Sequence, residues 1–242
     1  LELAANNLGG LEETVNALKE CIATNPHLEI LDLSANCLKK MSIGQLAHSL
    51  ATHPRLKNLD LGDNWIGDDA IRLLVVHLIV AENKTLKNLG LNSNCIEEPG
   101  LLVLAEYLKI NSQLMTLEVC SNEFSKVSLI AWGKALKNHP SLLSLRMCGC
   151  SISSNGLSFI ESLAQNTHLK FLELSSNDLD SQFILALARV LQKNKILEKV
   201  TLSYNAIPKE AVLRFVKAWA ASSLKTLDIP FSELDSNAIK EI

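Results

Sequence analysis

The stretch "LEILDLSANCL" at residues 28–38 has a spacing of leucines and one asparagine that recurs along the whole chain. The same pattern, LxxLxLxxNxL, reads "LKNLDLGDNWI" at 56–66 and "LKNLGLNSNCI" at 86–96. Further copies begin at residues 1, 114, 142, 169, 197 and 224, and the first of them is truncated. Nine copies at a period of 27–30 residues identify an internal repeat.

Two periodicities alternate within each repeat. Inside the block, apolar residues at every second position predict a short β-strand. Between blocks, apolar residues stand 10, 7 and 3 places before a loop residue that is usually Asn or His, as in Ile43, Leu46 and Leu50 before His53. This spacing places the three apolar side chains on one face of an α-helix. Each repeat is therefore predicted to be one strand followed by one helix.

The block and its helix resemble the leucine-rich repeat family, in its ribonuclease-inhibitor-like subtype, and the resemblance spans the whole chain. It implies an α/β leucine-rich-repeat solenoid of about nine strand and helix repeats. Parallel strands stack about 4.8 Å apart whereas neighbouring helices need about 8–10 Å, so such a stack bends. We expect a horseshoe with a parallel β-sheet on its concave face and the helices on its convex face.

Two features of the sequence bear on domain organisation. One is the asparagine that recurs at the same place in most blocks, and the other is where the chain begins and ends. We expect the Asn side chains to satisfy backbone groups in the turn after each strand, as a ladder along the solenoid. Because no repeat can bury its apolar face alone, residues 1–242 are predicted to form a single domain. The chain begins within a strand and stops early in a helix, "LDSNAIKEI", so we expect a fragment of a longer protein with both caps missing.

Charge, hydropathy and cysteine usage exclude several classes of partner. The net charge is −3 and the 23 basic residues are scattered, so we expect no nucleic-acid partner. No apolar stretch approaches the roughly 20 residues that span a bilayer, because the longest, "AIRLLVVHLIV", contains Arg72 and His77. The six cysteines lack the density of a small disulfide scaffold and form no paired CxxC motif. These features predict a cytoplasmic protein with no membrane partner.

Candidate catalytic residues have a structural explanation within the repeat. His27, His53, His139 and His168 fall in the helix-to-strand loops, where a turn or capping role is expected. The sequence contains no glycine-rich phosphate loop, HExxH or GxSxG motif. A regular repeat surface also offers a poor cavity for a nucleophile with its base, or for convergent metal ligands. We therefore predict no enzyme activity, no cofactor, no metal site and no small-molecule substrate.

Two cysteines one residue apart, Cys148 and Cys150, are the remaining candidate for metal binding. In register, Cys150 takes the ladder position that is Asn in seven other repeats, so we expect its thiol to be buried. Cys148 takes the outward seventh position of the block. Since the two sulfurs are expected to point in different directions, we predict no shared metal.

The outward positions of the strands vary freely between repeats, and they carry the candidate binding residues. The fifth position is acidic in six of nine repeats, against one base. Stacked carboxylates repel by about 1 kcal/mol per close pair in water, so this column does not favour folding and suits a basic partner. Exposed acids also serve solubility, which is the alternative explanation of the column. Exposed aromatic residues are typical of binding hot spots. The predicted partner-binding residues are Asp32, Asp60, Glu118, Arg146, Glu173 and Asp228 at the fifth position, with Asp63, Trp65, Phe171, Tyr204 and Phe231 beside them.

Together these features predict a non-catalytic protein–protein interaction module that binds a folded protein, such as an enzyme with a basic surface, through its concave face. Repeats such as "GLLVLAEYLKINSQLMTLEVCSN" at 100–122 resemble the GALA-type repeats of bacterial effectors. That resemblance implies a secreted effector, delivered into a host cytosol, that caps or inhibits a target enzyme. Three alternatives stay open: the ligand-sensing domain of an intracellular immune receptor, the substrate-recruiting part of a ubiquitin-ligase adaptor, and an enzyme whose catalytic domain lies outside these residues.

Overall fold

The computed structural model describes residues 1–220 and 222–229, and the chain divides into two compact units, Leu1–Glu123 and Phe124–Ile242. Helix and strand alternate in both units, as the repeat predicts. The first unit contains α1 (Glu12–Thr24), β1 (Ile30–Asp32), α2 (Lys40–Thr52), β2 (Asn58–Asp60), α3 (Gly67–Val80), β3 (Asn88–Gly90), α4 (Glu98–Ile110) and β4 (Thr116–Glu118). The second contains α5 (Lys126–Leu136), β5 (Ser144–Arg146), α6 (Leu157–Ser162), β6 (Phe171–Glu173), α7 (Ser181–Lys193), β7 (Lys199–Thr201), α8 (Lys209–Trp219) and β8 (Thr226–Asp228). A single domain over 1–242 stays a prediction.

The strands of each unit pair in parallel and in sequence order. In the first unit, Leu31 pairs with Leu59 and Leu59 with Leu89, so the fourth positions of successive blocks align. In the second unit, Leu145 pairs with Leu172 in the same way. These central residues are at most 2 % exposed, because each strand points its middle side chain toward the helices. The α/β architecture predicted from the repeat is confirmed.

One face of each helix is buried, at the positions that the spacing predicts. In α2, Ile43, Leu46 and Leu50 are at most 2 % exposed. In α5, Trp132 is fully buried, and its ring meets that of Phe124 edge-on with 4.9 Å between centroids. Each such side chain stabilises the fold by roughly 1.5–3 kcal/mol through its removal from water. The helices are therefore held by packing of the apolar stripe rather than by intrinsic propensity.

The asparagine ladder is present, and Asn64 illustrates its hydrogen bonds. Its Oδ1 accepts the backbone N–H of Asn36 at 2.9 Å and that of Leu38 at 3.0 Å, both in the preceding repeat. Its Nδ2 donates to the carbonyl oxygens of Leu33 at 2.8 Å and Leu61 at 3.0 Å. Buried backbone groups in the turn thus find partners that the strand cannot supply. Asn36, Asn94, Asn122, Asn177 and Asn205 are buried in the same role.

Cys150 occupies a ladder position in the second unit. Its free thiol is fully buried, and its Sγ lies 3.5 Å from the carbonyl oxygen of Cys148. Its backbone N–H donates to Oδ1 of Asn177 at 2.8 Å, as the ladder requires. The predicted burial of this sulfur is confirmed.

A second row of Asn and His side chains organises the helix-to-strand loops. In the second unit, Asn194 Oδ1 accepts the N–H of Ile196 at 2.7 Å, and its Nδ2 donates to the carbonyl oxygen of Leu163 in the preceding repeat at 2.7 Å. His139 takes the equivalent place, where its Nδ1 accepts the N–H of Leu142 at 3.1 Å. His53 acts similarly, since its Nδ1 accepts the N–H of Arg55 at 3.2 Å. These two loop histidines are thus turn residues, as expected.

Burial has a clear effect on the ionisation of His139. The side chain is 1 % exposed, and its Nε2 has no hydrogen-bond partner within the described part of the chain. Desolvation, together with a smaller effect of the nearby His168, lowers the pKa of this imidazole to about 4. His139 is therefore neutral at physiological pH.

An aspartate of one repeat caps the helix of the next. Asp68, at the start of α3, accepts the backbone N–H of Glu97 at 2.8 Å and that of Gly100 at 3.0 Å through one carboxylate oxygen. Glu97 is the N-cap residue of α4 and Gly100 lies in its first turn, and the helix has no side-chain cap from its own N-cap residue. A Cβ at residue 100 would stand 2.5 Å from the same oxygen, so glycine is required there.

Candidate functional site

The outward side chains of the strands, at the third, fifth and seventh positions of the block, form what we call the strand face of each unit. In the first unit this face contains a shallow depression of about 270 Å³. Its lining residues include Asp32, Asp60 and Glu118 with Asn58 and Asn88. The first unit thus brings three of the predicted partner-binding acids together around one concavity.

The acids of the fifth position also have a structural task that the sequence pattern did not reveal. Asp32 Oδ1 accepts the backbone N–H of Ser34 at 2.9 Å and its hydroxyl at 2.7 Å. Asp60 Oδ1 likewise accepts the N–H of Gly62 at 2.9 Å. Each carboxylate therefore fixes the backbone where the chain leaves the strand. This structural role explains part of the acidic column without invoking a binding partner.

Gly90 interrupts the acidic column for a steric reason. A Cβ at this position would stand 2.6 Å from Oδ1 of Asp60, so the glycine leaves room for that carboxylate. On the next strand, Glu118 accepts a hydrogen bond from Nδ2 of Asn92 at 3.0 Å. The floor of the depression is therefore built from carboxylates held in fixed orientations.

The surroundings of Asp60 in the depression disfavour the negative charge of its carboxylate. Burial raises the pKa of Asp60 above its usual value, and the charges of Asp32, Glu118 and Asp63 raise it further. The hydrogen bond from the N–H of Gly62 lowers the pKa of Asp60, because it stabilises the ionised carboxylate. A positive charge placed over this site would relieve the repulsion.

The turn after β2 presents an aromatic side chain in an unusual backbone conformation. Trp65 is 64 % exposed and has a φ of 54°, and Asp63 in the same turn is exposed with a φ of 55°. The two residues flank the ladder residue Asn64, and the corresponding places around Asn36 also have positive φ. This left-handed conformation suits small or polar residues and disfavours a bulky indole.

In the second unit, aromatic and charged side chains lie on or beside the strand face. Phe171 is half-buried, and the Lys199 ammonium lies 5.1 Å from the centre of its ring, a cation–π contact between neighbouring strands. Tyr204 is 85 % exposed with a φ of 57°. Arg146 is exposed, whereas Glu173 is only 9 % exposed, and its Oε1 accepts the N–H of Ser175.

The other predicted residues differ in their placement. Asp228 ends β8 and is exposed. Phe231 lies outside the described residues. Among residues 1–220 and 222–229, no group of three or more His, Cys, Asp or Glu side chains is arranged to hold a metal ion. In the same residues, no helix is both long enough and apolar enough to cross a membrane.

Comparison with known proteins finds leucine-rich repeats in both units. A family model described as a leucine-rich repeat matches residues 24–40, 53–75 and 165–188. Among solved structures, the chain is similar to a tropomodulin C-terminal domain from Caenorhabditis elegans, with a TM-score of 0.47 and 17 % identity over 75 % of this chain and 92 % of that one. It is also similar to the actin-binding site 2 of leiomodin-1, with a TM-score of 0.45 and 14 % identity over 74 % of this chain and 86 % of that one.

Proposed function

We propose that this chain is a non-catalytic protein–protein interaction module that binds a folded partner with a basic patch, through the strand face and the adjoining turns. The proposal rests on the exposure and the backbone conformation of Trp65. Its side chain is largely exposed, and its backbone holds a left-handed conformation that costs on the order of 1–2 kcal/mol for a bulky residue. Burial of this exposed indole by a partner would offset the cost of its backbone conformation.

The carboxylates near Trp65 support a basic partner. Desolvation and the charges of Asp32 and Glu118 all disfavour the ionised form of Asp60. A lysine or arginine of the partner, placed over the depression, would offset these effects through charge-assisted hydrogen bonds. Asp63, exposed in the same turn, would extend the attraction to the edge of the face. Complementary charge of this kind raises the association rate more than the final affinity.

The second unit supports a further contact region of different chemistry. Tyr204 presents an aromatic ring with a polar tip, the kind of side chain that is enriched in hot spots. Phe171 and Lys199, on neighbouring strands of the same unit, form a pair in which the cation lies over the ring. We propose Tyr204 as the anchor of this region and Arg146 as the residue that faces an acidic group of the partner.

The proposal extends to inhibition of an enzyme partner. A stable complex of ordinary size buries about 800 Å² on each side, which is enough to cover the mouth of an active site. The strand faces offer broad surfaces rather than a deep cleft, since the described depression of the first unit holds only about 270 Å³. Assaying the captured partner with and without the chain tests this extension, and unchanged turnover under saturating binding would remove it.

An affinity capture from cell lysates, followed by mass spectrometry, tests the main proposal. The immobilised wild-type chain is compared with Trp65→Ala and Tyr204→Ala, and the matched control is Met41→Ala. Met41 is 75 % exposed on α2, so its change removes a large exposed apolar side chain from the helix side of the same unit as Trp65. We expect the wild type and Met41→Ala to retain the same partner, and both aromatic variants to lose it.

The captured partner is then purified and titrated. Truncation of a hot spot costs about 2 kcal/mol or more, which corresponds to a loss of roughly thirtyfold in affinity for Trp65→Ala. Asp63→Lys is expected to slow association and to weaken its dependence on salt. Equal affinity of the wild type, Trp65→Ala and Tyr204→Ala for the partner would show that it binds elsewhere.

A further inference from the structure

Two histidine rings on neighbouring helices of the first unit lie in contact. The ring of His48, on α2, and the ring of His77, on α3, have centroids 5.8 Å apart and planes inclined at 74°. His48 is exposed and His77 is half-buried, so solvent reaches the pair. The sequence did not reveal this pair, because its members lie one repeat apart and only the packing of α2 beside α3 brings them together.

The register of the two helices places the rings opposite each other. Two turns before the pair, Nζ of Lys40 meets Oδ2 of Asp69 at 2.7 Å. One turn before the pair, a Cβ on Gly44 would lie 3.4 Å from Cδ1 of Leu73, so the helices are close there as well. Successive contacts are four residues apart on both helices, and residues at that spacing lie in line on a helix surface. Packed helices therefore hold the two imidazoles side by side.

The ring nitrogens of this pair have no task in the fold. Within the part of the chain that the structure describes, no ring nitrogen of His48 or His77 forms a hydrogen bond. The loop residues His53 and His139 differ, because each uses a ring nitrogen to bond the backbone of its loop. The rings of His48 and His77 are therefore free to turn about χ2, a torsion with broad minima in histidine.

The separation of the two rings suits two ligands of one metal ion. A metal bonded to a ring nitrogen at about 2.0–2.1 Å lies roughly 3.2 Å from the ring centre, so two rings on one metal have centres up to about 6.5 Å apart. The observed 5.8 Å falls within that limit. The rings meet edge to face, and rotation about χ2 turns one nitrogen of each toward a common point. Imidazole nitrogen is a favoured ligand of Zn²⁺, Cu²⁺ and Ni²⁺.

We propose that His48 and His77 together bind one divalent transition metal ion on the helix side of the first unit. The described residues provide no third His, Cys, Asp or Glu ligand there, so water completes the coordination. Strongly bound metals usually have histidine ligands whose second nitrogen is hydrogen-bonded, and this pair lacks that support, so the affinity is modest. Because α2 and α3 each supply one ligand, the ion joins two consecutive repeats. Binding to the folded chain alone stabilises it by mass action.

Isothermal titration calorimetry of the full chain with Ni²⁺ tests the proposal. Ni²⁺ is the probe because it favours imidazole, whereas Zn²⁺ also binds thiols, and Cys37 and Cys95 are free and exposed. The wild type is expected to bind one ion per chain. His48→Gln and His77→Gln should each weaken binding about a hundredfold, which is the gain that two converging ligands give over one. The matched control His27→Gln, at an exposed loop histidine, should bind as the wild type does.

Two further readouts distinguish a shared site from histidines that bind separately. At a Ni²⁺ concentration ten times the Kd, the thermal midpoint of unfolding should rise by about 3–6 °C, and a chelator should reverse the rise. In nuclear magnetic resonance spectra, a small fraction of one equivalent of paramagnetic Ni²⁺ should broaden the ring signals of His48 and His77 together. The ring signals of His27 should remain sharp at that concentration.

Several results would overturn the proposal. One is a His48→Gln variant that binds Ni²⁺ as tightly as the wild type does. Another is broadening of His27 in step with the pair, which would show that each exposed histidine binds the ion alone. If His77→Gln fails to fold, His48→Gln decides the question, because its side chain is exposed. Partner capture through Trp65 should persist in the presence of a chelator, so this proposal and the proposed function fail independently.

Discussion

The Oδ1 atom of Asn64 accepts the backbone N–H of Asn36 across 28 residues of sequence, at 2.9 Å. The same side chain completes four further hydrogen bonds to backbone groups of its own and the preceding repeat. The strand exits of two successive repeats are therefore joined by one buried amide. Through this ladder of hydrogen bonds, the turn of each repeat is stabilised by the asparagine of the next repeat.

Asn64→Ala is expected to lower the free energy of unfolding by about 3 kcal/mol, because it leaves several buried backbone groups without partners. Asn64→Cys should cost less, since a thiol occupies the equivalent place at Cys150. Chemical denaturation followed by circular dichroism measures both variants. An alanine variant as stable as the wild type would show that water replaces the ladder.

Asp68→Ala is expected to destabilise the chain by about 1 kcal/mol, because the first turn of α4 loses the acceptor that caps it. Asp69→Ala is the matched control at the next residue, whose carboxylate forms only an exposed ion pair with Lys40. Thermal unfolding should show a lower midpoint for Asp68→Ala than for Asp69→Ala. Equal midpoints would contradict the role of Asp68 as a cap.

The stability of the chain is expected to fall between pH 6.5 and pH 4 through His139. Its folded-state pKa of about 4 lies below the usual value of 6.5, so the unfolded chain binds the proton first as the pH drops. The full effect below pH 4 is about 3 kcal/mol. His139→Asn should remove this contribution, because Asn accepts the same N–H groups in other loops.

The control for His139 is His27→Asn, at an exposed loop position. Denaturation curves at pH 4.5 and pH 7 compare the three proteins. The wild type and His27→Asn should lose the same stability on acidification, and His139→Asn should lose less. An unchanged pH dependence in His139→Asn would place the titrating group elsewhere.

Trp65 and Trp132 should respond differently to truncation. Trp132 is fully buried, so Trp132→Ala is expected to cost about 3–5 kcal/mol. Trp65→Gly should change stability by less than about 1 kcal/mol, because relief of the left-handed backbone offsets the added freedom of glycine in the unfolded chain. A large loss of stability in Trp65→Gly would show that its indole serves the fold.

The strand, helix and ladder positions could be predicted from the sequence, because burial imposes a period on it. Leu59 and Leu46 are apolar since each lies in the core at a fixed place in the repeat, and Asn64 is polar since backbone groups surround it. The cap from Asp68 to α4 could not be predicted this way. It joins residues about thirty positions apart whose types vary between repeats.

The candidate site was only partly predictable for the same reason. Exposed positions carry no period, so Trp65 and Tyr204 were found by residue type, while their strained backbone emerged only from the structure. The small residues Ala35 and Ser93, at the place of Asp63 in other repeats, are the signal of a left-handed turn. The acidic column suggested partner binding or solubility and gave no sign of a structural role, because its hydrogen bonds to the backbone after each strand depend on side-chain rotamers.

A titration of the captured partner with Trp65→Gly, alongside the wild type and Met41→Ala, tests whether the exposed indole anchors the partner. Because glycine suits the left-handed turn, this variant separates a binding role of the indole from a folding role. We predict unfolding like that of the wild type together with an affinity about thirtyfold weaker, and no change for Met41→Ala. An affinity for Trp65→Gly equal to that of the wild type would contradict the proposal that the exposed indole anchors the partner.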